Sequence, residues 1–285
     1  MSMIKRLFLI VILSIAGTSG YMALFEDRFI YFPELQIMQT PVAANLAFEE
    51  HRFKTSDGIT LHGWYMPHPS ARFTVLHFHG NAGNISHRIS LYRRWHQLGL
   101  SVFAFDYRGY GSSDGEPGEE GLYEDGRAAL RLLTGKLGVS PSSILISGRS
   151  LGAAVAVKLA AEVHPAGVAL ETPFTNIPDM AAYHYPWLPV RWLAKSRFDT
   201  LLMVGDISSP LLLISANDDS IAPSFMAERI FNAAREPKHY VSLSGGHNSF
   251  DSVSEQQYTE SWRGWIDSLA EPETGVQFDA GDQPG

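Results

Sequence analysis

Cysteine is absent from this chain of 285 residues, which excludes disulfides, thiolate metal sites and a cysteine nucleophile. Clustered positive charge is also missing: no Lys/Arg run exceeds two residues, and the formal net charge is −8. No nucleic-acid partner is expected, because phosphate binding needs grouped cations. The glycine-rich stretch His79-Gly80-Asn81-Ala82-Gly83-Asn84 is not followed by a Lys-Ser or Lys-Thr pair, so it is not a P-loop. Its spacing does not fit a dinucleotide fingerprint either. His77 and His79 alternate near a strand end without a third ligand at metal spacing. They read as structural, and neither a metal nor a cofactor is expected. Internal repeats are lacking too.

What is present is ordinary for a globular domain with a sizeable core: 45% of residues are hydrophobic. The N-terminus is more distinctive. Lys5-Arg6 precedes an uncharged stretch from Leu7 to Phe25, and Glu26 ends it. As a helix this stretch would be about 28 Å long at ~1.5 Å per residue, close to the hydrocarbon thickness of a bilayer. Its densest apolar part, Leu7 to Ala16, followed by Gly17-Thr18-Ser19-Gly20, also suits a cleavable signal peptide. The span reaches bilayer length, which favours an anchor. On either reading the charge before the span keeps the N-terminus inside, so the remainder is exported, in a bacterium to the periplasmic side of the inner membrane. If the segment is cleaved, the protein is secreted.

The aromatic segment Phe29-Ile30-Tyr31-Phe32-Pro33 belongs at the membrane interface or packs on the domain as an edge element. Phe48 to Phe53 and Ile59 to Tyr65 alternate around Ser56-Asp57-Gly58, a hairpin signal. From there strands and helices alternate. Buried strands are expected at Phe73–Phe78, Ser101–Asp106, Ser143–Ser147, Gly167–Glu171, Leu211–Ser215 and His239–Leu243. Helices are expected at Ile89–Leu98, Glu119–Leu137 and Leu151–Val163. This pattern predicts an α/β fold with a mostly parallel sheet covered on both faces. Residues 172–206 interrupt the alternation and read as a lid or binding segment. The division expected is 1–25 as anchor or signal, 26–270 as catalytic domain and 271–285 as a polar, disordered tail.

The chemistry centres on Gly148-Arg149-Ser150-Leu151-Gly152. This Gly-X-Ser-X-Gly pattern follows a predicted strand and opens a predicted helix, the setting of a nucleophile elbow. Glycines at 148 and 152 remove Cβ atoms that would clash on so sharp a turn. The new helix points free N–H groups at a reacting carbonyl oxygen. A serine hydroxyl needs a base, and His247 in Gly245-Gly246-His247-Asn248 follows the last predicted strand. His164, His184 and His239 read as structural. An acid is expected after the fifth strand of the alternation, where Asp218 and Asp219 both stand; adjacent carboxylates cannot both face one imidazole. The oxyanion donors expected are the backbone N–H groups of Leu151 and Asn81.

His79-Gly80-Asn81, Asp106-Tyr107-Arg108-Gly109-Tyr110-Gly111, Gly115-Glu116-Pro117, the serine motif and Gly246-His247 stand in the order of the α/β-hydrolase superfamily. More narrowly, the chain resembles the bud-emergence-type group of membrane-anchored hydrolases, related to serine aminopeptidase-like enzymes. In that group an apolar anchor precedes a Tyr-Phe-Pro segment, here Tyr31-Phe32-Pro33. The likeness runs from about Phe29 to Leu269. It implies Asp219 as the acid, because members place it four residues before a proline, here Pro223; Ile221-Ala222 departs from the usual Val-Pro-like ending. It also implies that Asp106 and Arg108 tie the loop after their strand. The expected function is an ester hydrolase with a Ser150-His247-Asp219 triad, acting on a small acyl ester or a lipid. Tyr183, Tyr185, Trp187 and Trp192 suggest an apolar acyl group. A peptidase on the same triad, with Asp179 as the charged site for a peptide terminus, is the main rival. A non-catalytic anchored binding module is the third reading.

Overall fold

The computed structural model describes residues 2–270; the tail 271–285, expected to be disordered, lies outside the described residues. The sheet has eight strands: β1 (Glu49–Lys54), β2 (Thr60–Met66), β3 (Thr74–Phe78), β4 (Ser101–Asp106), β5 (Ile144–Arg149), β6 (Gly167–Glu171), β7 (Leu211–Ala216) and β8 (Lys238–Leu243). Their spatial order is β1-β2-β4-β3-β5-β6-β7-β8. The Asp57-Gly58 turn joins β1 and β2 as an antiparallel hairpin, with Gly58 at φ 88°, a conformation glycine reaches without a Cβ clash. β2 runs antiparallel to β4, and every pairing from β4 to β8 is parallel.

The helices are α1 (Met3–Leu24), α2 (Asp27–Ile30), α3 (Ile89–Gln97), α4 (Glu119–Arg131), α5 (Leu151–Glu162), α6 (Ile177–His184), α7 (Thr200–Met203), α8 (Ser224–Ala233), α9 (Phe250–Val253) and α10 (Glu255–Ala270). The parallel strands alternate between two apolar cores, as period-2 side chains must. Leu76, Ile146, Val168 and Leu213 meet α4, α5 and α8 on one face. Val75, Leu145, Ala169 and Leu212 meet α3 and α10 on the other, around Trp95, Trp262 and Trp265. The alanines of α5 let it lie close on the sheet, and most of its residues are buried.

Two expectations change in detail. The helix expected from Glu119 to Leu137 is α-helical only to Arg131, and Leu132–Lys136 widens into a π turn. There the Leu137 N–H bonds the Leu132 carbonyl, five residues back. The aromatic segment adds one parallel bridge, Pro33 to Gly83, rather than an edge strand. Residues 172–206 contain α6, a 3-10 turn at Pro189–Trp192 and α7. Of α1, only Ser19 is buried by the protein.

Candidate active site

β5 ends at Arg149 and α5 begins at Leu151, so Ser150 alone makes the turn between them. Its backbone is at φ 52°, ψ −115°, a strained setting for a residue with a Cβ. The flanking glycines are sterically required. A Cβ on Gly148 would lie 2.3 Å from the Gly152 carbonyl oxygen, and one on Gly152 would lie 2.1 Å from that of Phe78. The Ser150 N–H donates to the Glu171 carbonyl of the neighbouring strand at 2.9 Å, which fixes the turn to β6. Leu151, first in its helix, has an N–H with no intrahelical acceptor.

After β3 the chain turns through His79-Gly80-Asn81 beside this elbow; Gly80 lies within 4 Å of Ser150 by its virtual Cβ. The Asn81 side-chain oxygen accepts from the Phe32 N–H at 3.1 Å and from the Tyr110 hydroxyl at 2.9 Å. No backbone acceptor is found for the Asn81 N–H among the described residues. Beneath the loop His79 is buried, with Nδ1 at 2.8 Å from the Gly80 carbonyl. Burial pulls its pKa down from 6.5 to about 4, and that of buried His77 falls well below the ordinary range for the same reason. His77 packs edge-on against Tyr92 and Trp95, a structural role as expected from the sequence.

On the far side, His247 Nδ1 lies 2.6 Å from Asp219 Oδ2. Asp219 Oδ1 accepts the N–H groups of Ile221 and Ala222 at 2.8 and 2.7 Å. Asp218 points elsewhere: its carboxylate faces the Gly245 N–H at 3.4 Å. The geometry thus separates the two adjacent carboxylates, which residue types alone leave open. Ser150 and His247 line one cavity of about 400 Å³ together with Asn81 and Leu151. A direct hydrogen bond between the Ser150 hydroxyl and the ring is not formed, and such bonds often tighten only around substrate.

Three features of the site were not legible as such in the sequence. The first is the cavity wall built from the N-terminal segment: Met22, Ala23, Glu26, Phe29, Ile30 and Phe32. The aromatic run at 29–32 signalled that segment, but not its position over Ser150. The second is a buried ionic cluster behind the elbow. Arg149 Nε donates to Glu171 at 2.8 Å, and Arg149 Nη1 faces Asp251 at 3.5 Å. Glu171 accepts from the Tyr258 hydroxyl at 2.5 Å, and Arg94 pairs with Asp251. The third is Arg88, which lines the cavity and donates to the Ala82 carbonyl at 2.7 Å.

The aromatic residues of segment 172–206 need correction. Only Tyr185 of the four lines the cavity; Tyr183 packs on Phe225, and Trp187 and Trp192 face outward, 66% and 82% exposed. His184 lines the cavity as well, and its Nε2 meets the Ile221 carbonyl at 2.8 Å, tying α6 to the Asp219 loop. Asp106 accepts from the Ile85 N–H at 2.9 Å, and Arg108 bridges Asp57 and Asp125. Both therefore tie loops, as the resemblance implies. Among the described residues no three His, Asp or Glu side chains converge as metal ligands.

Residues 69–203 match the model of the serine aminopeptidase family S33. An uncharacterized protein of Mycobacterium tuberculosis is 42% identical over 84% of this chain and 86% of its own length. The α/β-hydrolase domain-containing protein WAV2 of Arabidopsis thaliana is 34% identical, covering 79% and 80%. Protein bem46 of Schizosaccharomyces pombe is 32% identical, covering 72% and 73%. Among solved structures, an esterase of Pyrococcus furiosus superposes with a TM-score of 0.71 at 19% identity, over 83% of this chain and 98% of that one. The fold, the serine elbow and these relatives agree: the chain is a hydrolase of the α/β-hydrolase superfamily and belongs there with WAV2 and bem46.

Proposed function

We propose that this chain is a membrane-anchored carboxylic-ester hydrolase in which Ser150 is the nucleophile, His247 the base and Asp219 its partner. One observation carries the reading. A serine on a strained elbow opens into an apolar cavity that also holds His247, whose Nδ1 is bonded to a carboxylate. With Nδ1–H donating to Asp219, Nε2 keeps its lone pair for the serine proton. The Ser150 oxygen then attacks the acyl carbonyl. The N–H groups of Asn81 and Leu151 hold the oxyanion, and collapse expels the alcohol, which takes its proton from His247. Water, deprotonated by His247, releases the acid and restores the serine. Residues 172–206 act as a cap over this cavity on the catalytic domain 26–270. α1 is the anchor: 22 residues, of which the most apolar 18-residue stretch has a mean hydropathy of 2.0, about 33 Å long at ~1.5 Å per residue. Lys5 and Arg6 precede most of it, which supports an exported catalytic domain.

The peptidase alternative asks for a free carboxylate to hold a peptide's amino terminus. Asp179 is already engaged by Arg191 and Arg229 at 3.1 and 3.3 Å. Glu26, which does line the cavity, accepts the N–H groups of Lys195 and Ser196. Both carboxylates are committed, so the ester reading is favoured. The test is fluorophosphonate labelling of the full-length protein, with hydrolysis of 4-nitrophenyl esters of increasing chain length against aminoacyl amides. Labelling and ester turnover that vanish in Ser150→Ala support the proposal. An unlabelled wild type returns the chain to a non-catalytic binding module, and faster amide turnover to a peptidase.

A further inference from the structure

The last turn of the anchor helix is part of the catalytic cavity. Met22 and Ala23 of α1, and Phe29, Ile30 and Phe32 after it, line the space that Ser150 and His247 also line. This exit segment is fastened on both sides. The Glu26 carboxylate accepts the Lys195 and Ser196 N–H groups at 2.9 and 3.0 Å, and the Phe32 N–H donates to Asn81. The turn Pro189–Trp192 packs against α1. The domain therefore has a set orientation on its anchor. Outside the cavity Phe25 of the exit segment, and Trp187 and Trp192 of the neighbouring segment, are exposed. Aromatic rings so placed match the headgroup level of a bilayer. Exposed tryptophans beside a helix of bilayer length fit an interfacial position, where headgroups solvate their amphipathic rings.

We propose that the cavity, walled by the end of α1 and by Tyr185, Val190, Leu193 and Ala194, has its mouth at the bilayer surface, and that its occupant is the acyl chain of an ester lipid resident in that membrane. The inference rests on the ester-hydrolase reading and names its substrate class. The chain passes from the bilayer into the apolar cavity past Met22 and Ala23 without crossing water, and its ester carbonyl comes to rest at Ser150. Each methylene transferred to the cavity from water would be worth about fourfold in binding. A chain that comes from lipid gains little of this, so the mouth's position, rather than hydrophobic transfer, provides the selectivity.

The test uses the full-length protein in phosphatidylcholine vesicles, with 4-methylumbelliferyl oleate in the bilayer and 4-methylumbelliferyl acetate in the water phase. The double variant Trp187→Ser/Trp192→Ser alters side chains that do not line the cavity. It should lose about tenfold or more in oleate turnover, as interfacial rings are removed, and keep its acetate turnover. Ala23→Trp should fill the mouth and lower the oleate-to-acetate ratio. In vesicles of brominated phosphatidylcholine the wild-type tryptophan fluorescence should be quenched, and the double variant should lose that component. Unchanged oleate turnover in both variants, or no quenching, overturns this inference while Ser150-dependent acetate turnover leaves the ester-hydrolase reading standing. Absence of both acetate turnover and Ser150 labelling overturns both.

Discussion

His247 Nδ1 and Asp219 Oδ2 stand 2.6 Å apart, in a pocket where both residues are almost excluded from solvent. The carboxylate's other oxygen is held by two backbone N–H groups, so the acid has one orientation, and that orientation fixes the imidazole. Asp219→Asn removes the acceptor that selects the Nδ1–H tautomer. It should lower kcat on a short 4-nitrophenyl ester by about 10³ to 10⁴, the scale known for such triads. Asp218→Asn should stay within about threefold, because its carboxylate faces Gly245 instead. Equal losses in the two variants would refute the assignment.

The elbow glycines should be far less tolerant than the glycine beside them. An alanine methyl at 152 would meet two backbone carbonyls, those of Phe78 and His79, at 2.1 and 2.5 Å. Backbone cannot move aside as a side chain can, so Gly152→Ala should cost about 3 kcal/mol or more, the upper end for overpacking. At Gly80 the nearest atom would be 3.5 Å away, and Gly80→Ala should shift the thermal midpoint little. Thermal denaturation of the two variants compares them directly.

Acid should destabilise the fold through its buried histidines, with the buried Asp125 carboxyl, which burial raises to about 6, offsetting part of the effect. Burial lowers the His79 pKa to about 4, whereas the unfolded chain titrates near 6.5. Between those values the unfolded state binds more protons, so stability is full above pH ~6.5 and declines as pH falls toward ~4. For His79 alone the loss is roughly 3 kcal/mol, and His77 adds in the same direction. Urea unfolding at pH 7.5 and 4.5 measures it, and His79→Gln should flatten the dependence. Equal stability at both pH values would contradict the burial argument.

The ionic cluster behind Ser150 should matter to folding more than to chemistry. Replacing Glu171 by Leu leaves the Arg149 guanidinium buried, with only Asp251 at 3.5 Å as an ionic partner, and leaves the Tyr258 hydroxyl without its acceptor. Losing one member of a buried pair costs about 3–5 kcal/mol. The urea midpoint should fall accordingly, and a midpoint near that of wild type would mean that Asp251 takes over.

Local chemistry made much of this protein legible in its sequence. The unbroken apolar strands, the Asp57-Gly58 turn and the Gly148–Gly152 spacing follow from backbone sterics and side-chain periodicity, which neighbours in the chain already set. Ser150, the hairpin and the six strands of the βα alternation were therefore readable, and so was an N-terminal span of bilayer length. The tertiary structure decided what depends on residues distant in the chain. It turned Asp219 rather than Asp218 toward His247, because the loops after β7 and β8 lie side by side in a parallel sheet. It sent Trp187 and Trp192 outward while Tyr185 turned in, an orientation that residue types alone do not encode. It also brought Met22 and Ala23 within the cavity of Ser150, a juxtaposition that chain order cannot express, because it arises where the segment after α1 packs against the loop after β3.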